Sequence, residues 1–304
     1  MGELHPGLQR LANQFRPSPV IQIIDEAFSV KGVELWIKRD DLLHPIISGN
    51  KWRKLKYCLD HALSLGAHTL CSMGGVYSNH LHALAYTGQF LGLSTLGLIR
   101  GECPDPLNST LHDLQAWGMQ LRFISRTDYR QLRQYHHHDA LPNLPNGGYW
   151  LPEGGASRLA LKGVAEIIDE IDMDYDYLVV GCGTGTTLAG LIAAAPSETS
   201  VLGIAALKGA AFLAEEVKNL MPDHCPYSVN WEILLDYHHG GFAKTSAPLL
   251  ALIQDMQLRH QLPLEPIYTA KTLYAIYDLL HRGFFKSGQR ILMIHTGGLQ
   301  GTRA

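Results

Sequence analysis

Short apolar runs alternate along the chain with longer segments whose apolar positions recur at helical spacing. Seven runs predict strands: Thr69–Met73, Thr95–Ile99, Gln120–Ile124, Tyr177–Val180, Val201–Ala205, Trp231–Leu235 and Ile291–Ile294. Several are continuous instead of alternating, the pattern of strands covered on both faces. Between them the 3.6-residue period predicts helices over Lys51–Leu65, Asn79–Leu91, Leu111–Trp117, Leu161–Ile171, Ala211–Leu220, Pro248–His260 and Ala270–His281. This alternation predicts an α/β protein with mainly parallel, twisted sheets flanked by helices. The Pro- and Gly-rich stretch Tyr135–Gly155 interrupts it and is expected to mark a boundary, with a weaker irregular stretch at Pro222–Asn230. Two domains are expected: a smaller one over 48–150, and a larger one over 1–47 plus 151–304.

Composition narrows the function. The net charge of −3 argues against nucleic acid or an anionic membrane as the main partner. Five cysteines without a CxxC spacing support neither a disulfide framework nor a zinc site, and fit a reducing, cytoplasmic setting. No signal-like segment opens the sequence and no run is long enough to span a membrane. The tract His136–His137–His138–Asp139 is expected to be a solvated loop, not a metal site.

Four segments carry candidate chemistry. In SGNKWRKL, Gly49 and Asn50 are turn residues, so Lys51 falls at a helix entrance, where the macrodipole disfavours its cation. A neutral lysine amine is what imine chemistry requires. In SMGGVYSNHLH, glycines allow close backbone approach and Ser78 is placed to cap a helix. In VVGCGTGTTLAG, backbone amides and the hydroxyls of Thr184, Thr186 and Thr187 can enclose one phosphate. This loop lacks the GK[ST] ending of a nucleotide P-loop, the third glycine of G-x-G-x-x-G and a strand-end acid for a ribose. In LMIHTGGLQG, an apolar strand ends in Thr296, whose hydroxyl can face a cofactor ring. Together they suggest a carbonyl cofactor with a single phosphate, for which pyridoxal 5'-phosphate is the common candidate. A dinucleotide-dependent oxidoreductase and a non-catalytic ligand-binding protein are the alternatives.

The stretches IKRDDL, SGNKWRKL, GGVYSNH, GTGTTLAGL, PIYTAKT and HTGG stand in that order. They resemble the D-cysteine desulfhydrase and 1-aminocyclopropane-1-carboxylate deaminase family, whose fold is that of tryptophan-synthase-β-like, fold-type II pyridoxal phosphate enzymes. The resemblance runs from about Ile37 to Gly301. It implies that Lys51 forms the imine with the cofactor and that Asn79 hydrogen-bonds its ring hydroxyl. Thr184, Gly185, Thr186 and Thr187 match the phosphate loop, and Thr296 the hydroxyl at the pyridine nitrogen. Ser78, Asn79 and His80 match the loop receiving the substrate carboxylate. Ser78 lies near the reacting centre there, and Tyr268 lies close to the substrate. A small amino acid is the implied substrate and a homodimer the implied assembly.

Departures bear on specificity. The deaminase branch has a glutamate after the tyrosine, where this chain has Thr269, and it lacks a hydroxyl at the place of Thr296. A hydroxyl keeps the pyridine protonated less well than a carboxylate does. The expected activity is therefore desulfhydrase-like α,β-elimination giving pyruvate, ammonia and sulfide. Deamination of 1-aminocyclopropane-1-carboxylate, or lyase or racemase action on another small amino acid, stands as the alternative. Phe242 stands where a second active-site tyrosine is usual, and Glu153 in PEGGAS replaces a usually uncharged residue.

Overall fold

The computed structural model describes residues 3–221 and 229–303; most of the irregular stretch Pro222–Asn230, with Cys225, lies outside them. The strands are β1 (Val20–Ile23), β2 (Glu34–Lys38), β3 (Thr69–Gly74), β4 (Ser94–Arg100), β5 (Met119–Ile124), β6 (Gly148–Leu151), β7 (Tyr177–Cys182), β8 (Ser200–Ala205), β9 (Asn230–Leu234) and β10 (Arg290–Ile294). The helices are α1 (Pro6–Ala12), α2 (Glu26–Ser29), α3 (Asn50–Ser64), α4 (Asn79–Leu91), α5 (Ser109–Ala116), α6 (Arg126–Leu132), α7 (Arg158–Asp169), α8 (Thr186–Ala194), α9 (Leu213–Leu220), α10 (Ala247–His260) and α11 (Thr269–His281). They form two sheets, a six-stranded one in the order β1-β2-β10-β7-β8-β9 and a four-stranded one in the order β5-β4-β3-β6. Every pairing is parallel except β1 with β2. The strands of the smaller sheet fall within residues 69–151 and those of the larger within 20–38 and 177–294.

All seven predicted strands and all seven predicted helices form, with ends shifted by a few residues. Three strands were hidden. β6 lies inside the Pro- and Gly-rich stretch, yet it pairs with β3 and buries Trp150, whose indole donates to Tyr135 O at 2.8 Å. β2 ends on Lys38, a fully buried lysine. His138 is also less solvated than expected: it stacks on Tyr149 at 5.1 Å, while His136 and His137 are exposed. No helix among the described residues is long and apolar enough to cross a membrane.

Helix α7 brings the two chemical loops together, because it packs between α3 and α8. Gly163 permits the closeness: a Cβ there would sit 1.9 Å from Arg53 O of α3. A buried ionic network holds α3 from behind. Arg53 bonds both Asp40 and Glu170, and Lys38 donates to Glu170 at 2.7 Å and to Ser18 O at 2.7 Å. The IKRDDL segment thus serves as the brace of the lysine helix. Trp52 on the same helix is buried and stacks on Phe15 at 4.0 Å.

Candidate active site

Strand β7 runs into Gly181–Gly185 and then α8. Gly185 is the N-cap residue, with φ 74°, and it offers no side chain to the helix. The first intrahelical bond is Ala189 N to Gly185 O at 2.8 Å, so the amides of Thr186, Thr187 and Leu188 precede the hydrogen-bonded ladder. Thr184 Oγ1 lies 3.0 Å from Thr186 Oγ1. The result is an anion cradle of amides and hydroxyls at a positive helix end.

Lys51 stands in the first turn of α3, after Gly49 at φ 64°. Gly49 presses on the β10 end: a Cβ there would fall 1.9 Å from Thr296 O. Asn50 N donates to that carbonyl at 3.2 Å. The side chain of Asn50 joins the two helix starts, donating to Thr187 Oγ1 at 2.9 Å and accepting from Lys51 Nζ. Burial lowers the Lys51 pKa from the usual lysine value to about 8, and the Glu265 carboxylate partly opposes this.

Strand β3 leads to the third loop. Ser78 caps α4, its Oγ accepting from Leu81 N at 3.2 Å, as the sequence predicts. Of the two glycines before it, Gly74 is tightly used, since a Cβ there would meet Ser78 Oγ at 2.4 Å, whereas Gly75 faces open space. His80 is buried, its ring lying against Gly155. Its Nε2 lies 2.9 Å from Ser72 Oγ, which itself donates to Leu151 O at 2.7 Å. A carbonyl only accepts, so Nε2 carries the hydrogen and Nδ1 is a bare acceptor, buried without a partner. Burial, with Lys51 and Lys54 nearby, pushes the His80 pKa down to about 3.

Tyr268 lies over the glycines of the cradle: Cβ atoms on Gly181 and Gly183 would each come within 3.0 Å of its atoms. Its phenol pKa is raised, first by burial and then by Glu265 and Glu153. Phe242 meets the Tyr268 ring edge-on at 6.1 Å. Glu153 faces away, accepting from Tyr129 Oη at 2.5 Å and pairing with Arg133 at 2.7 Å. His238 and His239 bond within their own loop, to Gly240 N and Ser246 Oγ.

Two site residues escaped the sequence. Lys54 is one helical turn beyond Lys51 and almost fully buried. Its Nζ donates to Gly154 O at 3.2 Å, and burial plus the Lys51 charge drive its pKa well below the usual lysine value. The i, i+3 spacing in NKWRK was the available signal. Glu265 is buried as well. Its carboxylate accepts from the amides of Ile267, Tyr268 and Thr269 at 2.6–2.7 Å, and so caps α11. Burial raises its pKa and those three bonds oppose the rise. Thr269 is turned back on it, Oγ1 accepting from Glu265 N at 2.9 Å.

This geometry fits a phosphorylated aldehyde: an uncapped helix end, an amine of lowered pKa beside it and a second buried amine one turn further along α3. A model of the pyridoxal-phosphate dependent enzyme family matches residues 12–297. The chain belongs to that family. Over 284 residues it is 33% identical to a putative 1-aminocyclopropane-1-carboxylate deaminase of Pyrococcus horikoshii, covering 89% of this chain and 86% of that one. It is 30% identical over 301 residues to the mitochondrial bifunctional D-cysteine desulfhydrase/1-aminocyclopropane-1-carboxylate deaminase of Arabidopsis thaliana, covering 89% and 73%. Among solved structures, an ACC deaminase homologue matches with a TM-score of 0.76 at 27% identity, over 98% of this chain and 97% of that one. A processed threonine deaminase isoform of Solanum lycopersicum shares the fold, with a TM-score of 0.67 at 16% identity over 96% and 82%. The protein is thus a pyridoxal-phosphate-dependent lyase or deaminase. The oxidoreductase and non-catalytic alternatives are set aside.

Proposed function

We propose that this enzyme catalyses α,β-elimination on a small amino acid, D-cysteine or a β-substituted alanine, releasing pyruvate and ammonia, with sulfide from cysteine. The observation that carries the proposal is the Asn50 bridge, which fixes a lysine amine of lowered pKa beside an uncapped anion cradle. Pyridoxal phosphate, when bound, supplies an aldehyde for the substrate amine and a ring that spreads the charge left at Cα. Thr184, Gly185, Thr186 and Thr187 would hold its phosphate. Lys51 would hold the aldehyde and, with its amine free, would take the Cα proton of the substrate. Ser78, Asn79 and His80 receive the carboxylate. For His80 the backbone amide is the donor, because its neutral ring presents a bare acceptor. Tyr268, kept protonated by its raised pKa, delivers a proton to the leaving group. Thr296 would meet the pyridine nitrogen of the bound cofactor and Asn79 its ring hydroxyl.

A second reading, deamination of 1-aminocyclopropane-1-carboxylate, is favoured by the names of the relatives. Against it stands the ring-nitrogen side of the site. Thr269 is spent on Glu265, and Glu265 is spent on three backbone amides. No free carboxylate is offered there among the described residues, and elimination of a good leaving group needs less electron withdrawal than opening a cyclopropane. Purified enzyme assayed with D- and L-cysteine, D- and L-serine, β-chloroalanine and the cyclopropane separates the two. Pyruvate and sulfide from D-cysteine support elimination. Faster release of 2-oxobutanoate from the cyclopropane overturns it.

A further inference from the structure

Just past HTGG, Gly298 opens a 3-10 turn over Leu299–Thr302. This turn reaches back to the other sheet's helices. Arg303 donates to Asp113 of α5, and its Nη2 lies 3.4 Å from His82 Nε2 of α4. Ser109 donates to Arg303 O at 3.3 Å, and Arg303 Nε donates to Gln300 O at 3.1 Å. With the turn anchored independently, Gln300 Nε2 donates to the side-chain oxygen of Asn79. Asn79 Nδ2 lies against the backbone of Gly298, 2.7 Å from where a Cβ would be.

We propose that Gln300 is a positioning residue that fixes which end of the Asn79 amide faces the cofactor. The inference rests on the reading above, in which Asn79 meets the ring hydroxyl. A primary amide has one accepting end and one donating end. With its oxygen taken by Gln300, Asn79 keeps only N–H groups for the site. A donor stabilises the ionised form of the ring oxygen, and an acceptor there would set lone pair against lone pair. Through Asn79, Gln300 would therefore bias the cofactor toward the form with an ionised ring oxygen. The sequence carries no hint of this, because Gln300 lies outside every helix and strand pattern and 221 positions from its partner.

The test uses pyridoxal-phosphate-loaded enzyme and three variants. Gln300→Glu keeps the length but only accepts; Gln300→Leu makes no hydrogen bond; Arg303→Ala loosens the same turn without touching Asn79. The readouts are the visible absorbance of the bound cofactor across pH, the dissociation constant for pyridoxal phosphate, and the melting temperature of cofactor-free protein. Both Gln300 variants are expected to move absorbance from the long-wavelength to the short-wavelength band and to weaken cofactor retention about five- to tenfold. Arg303→Ala is expected to lower the melting temperature and leave the bands in place. Unchanged bands in both Gln300 variants overturn the proposal, as does an equal band change in Arg303→Ala. Wild-type protein that takes up no cofactor refutes the proposed function instead.

Discussion

Helices α4 and α8 each follow a central parallel strand, one in each sheet, and each begins among hydroxyl residues. Their first turns are used differently. In α4 the Ser78 side chain caps Leu81 N, so the helix satisfies part of its own positive end. In α8 the cap residue is glycine with φ 74°, and the amides of Thr186, Thr187 and Leu188 are left to an outside group. A free set of donors suits a permanent doubly charged guest, whereas a partly capped turn suits the weaker, transient carboxylate of a substrate. The location of an anion site thus follows from the capping residue more than from the helix itself.

The severest disruption of this contrast is Gly185→Asp, which gives α8 a carboxylate of its own. A Cβ at that position also meets Val217 Cγ2 at 2.8 Å. Affinity for pyridoxal phosphate should fall by roughly 100-fold or more, with a stability loss of about 1–3 kcal/mol. Absorbance titration and thermal melting check the two effects; unaltered affinity would remove α8 as the anchor. Thr186→Val deletes one hydroxyl and leaves the amides, so the dissociation constant should rise about tenfold, read by the same titration. On the α4 side, Ser78→Ala should cost about 1 kcal/mol of stability, visible as a shift of about 2–4 °C in melting temperature. Cofactor affinity should hardly change there, while turnover falls by more than the stability loss explains.

The smallest effect is a pH shift. The Lys51 pKa is about 8 in the folded protein, below its ordinary value of 10.5, and Glu265 holds it up. The buried cation is destabilising below about pH 8, and that cost disappears as pH rises from 8 toward 10.5, so this group's contribution to stability grows with pH in that window. Glu265→Gln removes the opposing charge. The reaction of cofactor-free enzyme with a simple aldehyde should then reach half its maximal rate at a lower pH than in wild type. A shift to higher pH would contradict the assigned electrostatics.

Much of this contrast is legible in the residues. β3 and β7 are near-continuous apolar runs that meet glycine, and Ser78 is legible as the cap of α4, whereas the uncapped start of α8 is seen only in the structure. What hides is nonlocal. β2 reads as surface because it ends in Lys38, whose charge is neutralised by Glu170, 132 positions away. β6 is four residues inside a turn-rich stretch, and only pairing with β3 makes it a strand. Lys54 and Glu265 look like ordinary charged residues until burial gives them work. For Lys54 the i, i+3 spacing to Lys51 is the one local hint and its partner, Gly154 O, comes from another element; Glu265 bonds the amides just after it, and only its burial is invisible in the residues.

The proposed chemistry requires one particular amine within reach of an aldehyde anchored at α8. Three lysines with depressed pKa compete for that role: burial lowers Lys51 and Lys271 to about 8, and Lys54 well below the usual lysine value. Acidity therefore does not choose among them; position does. Lys271 is spent on Ala206 O and Gly241 O, and Lys54 donates to Gly154 O. Loading the protein with pyridoxal phosphate, reducing with borohydride and mapping the labelled peptide reads the choice directly. The account predicts a single pyridoxyl group on Lys51; a label on Lys54 or Lys271, or none at all, would contradict it.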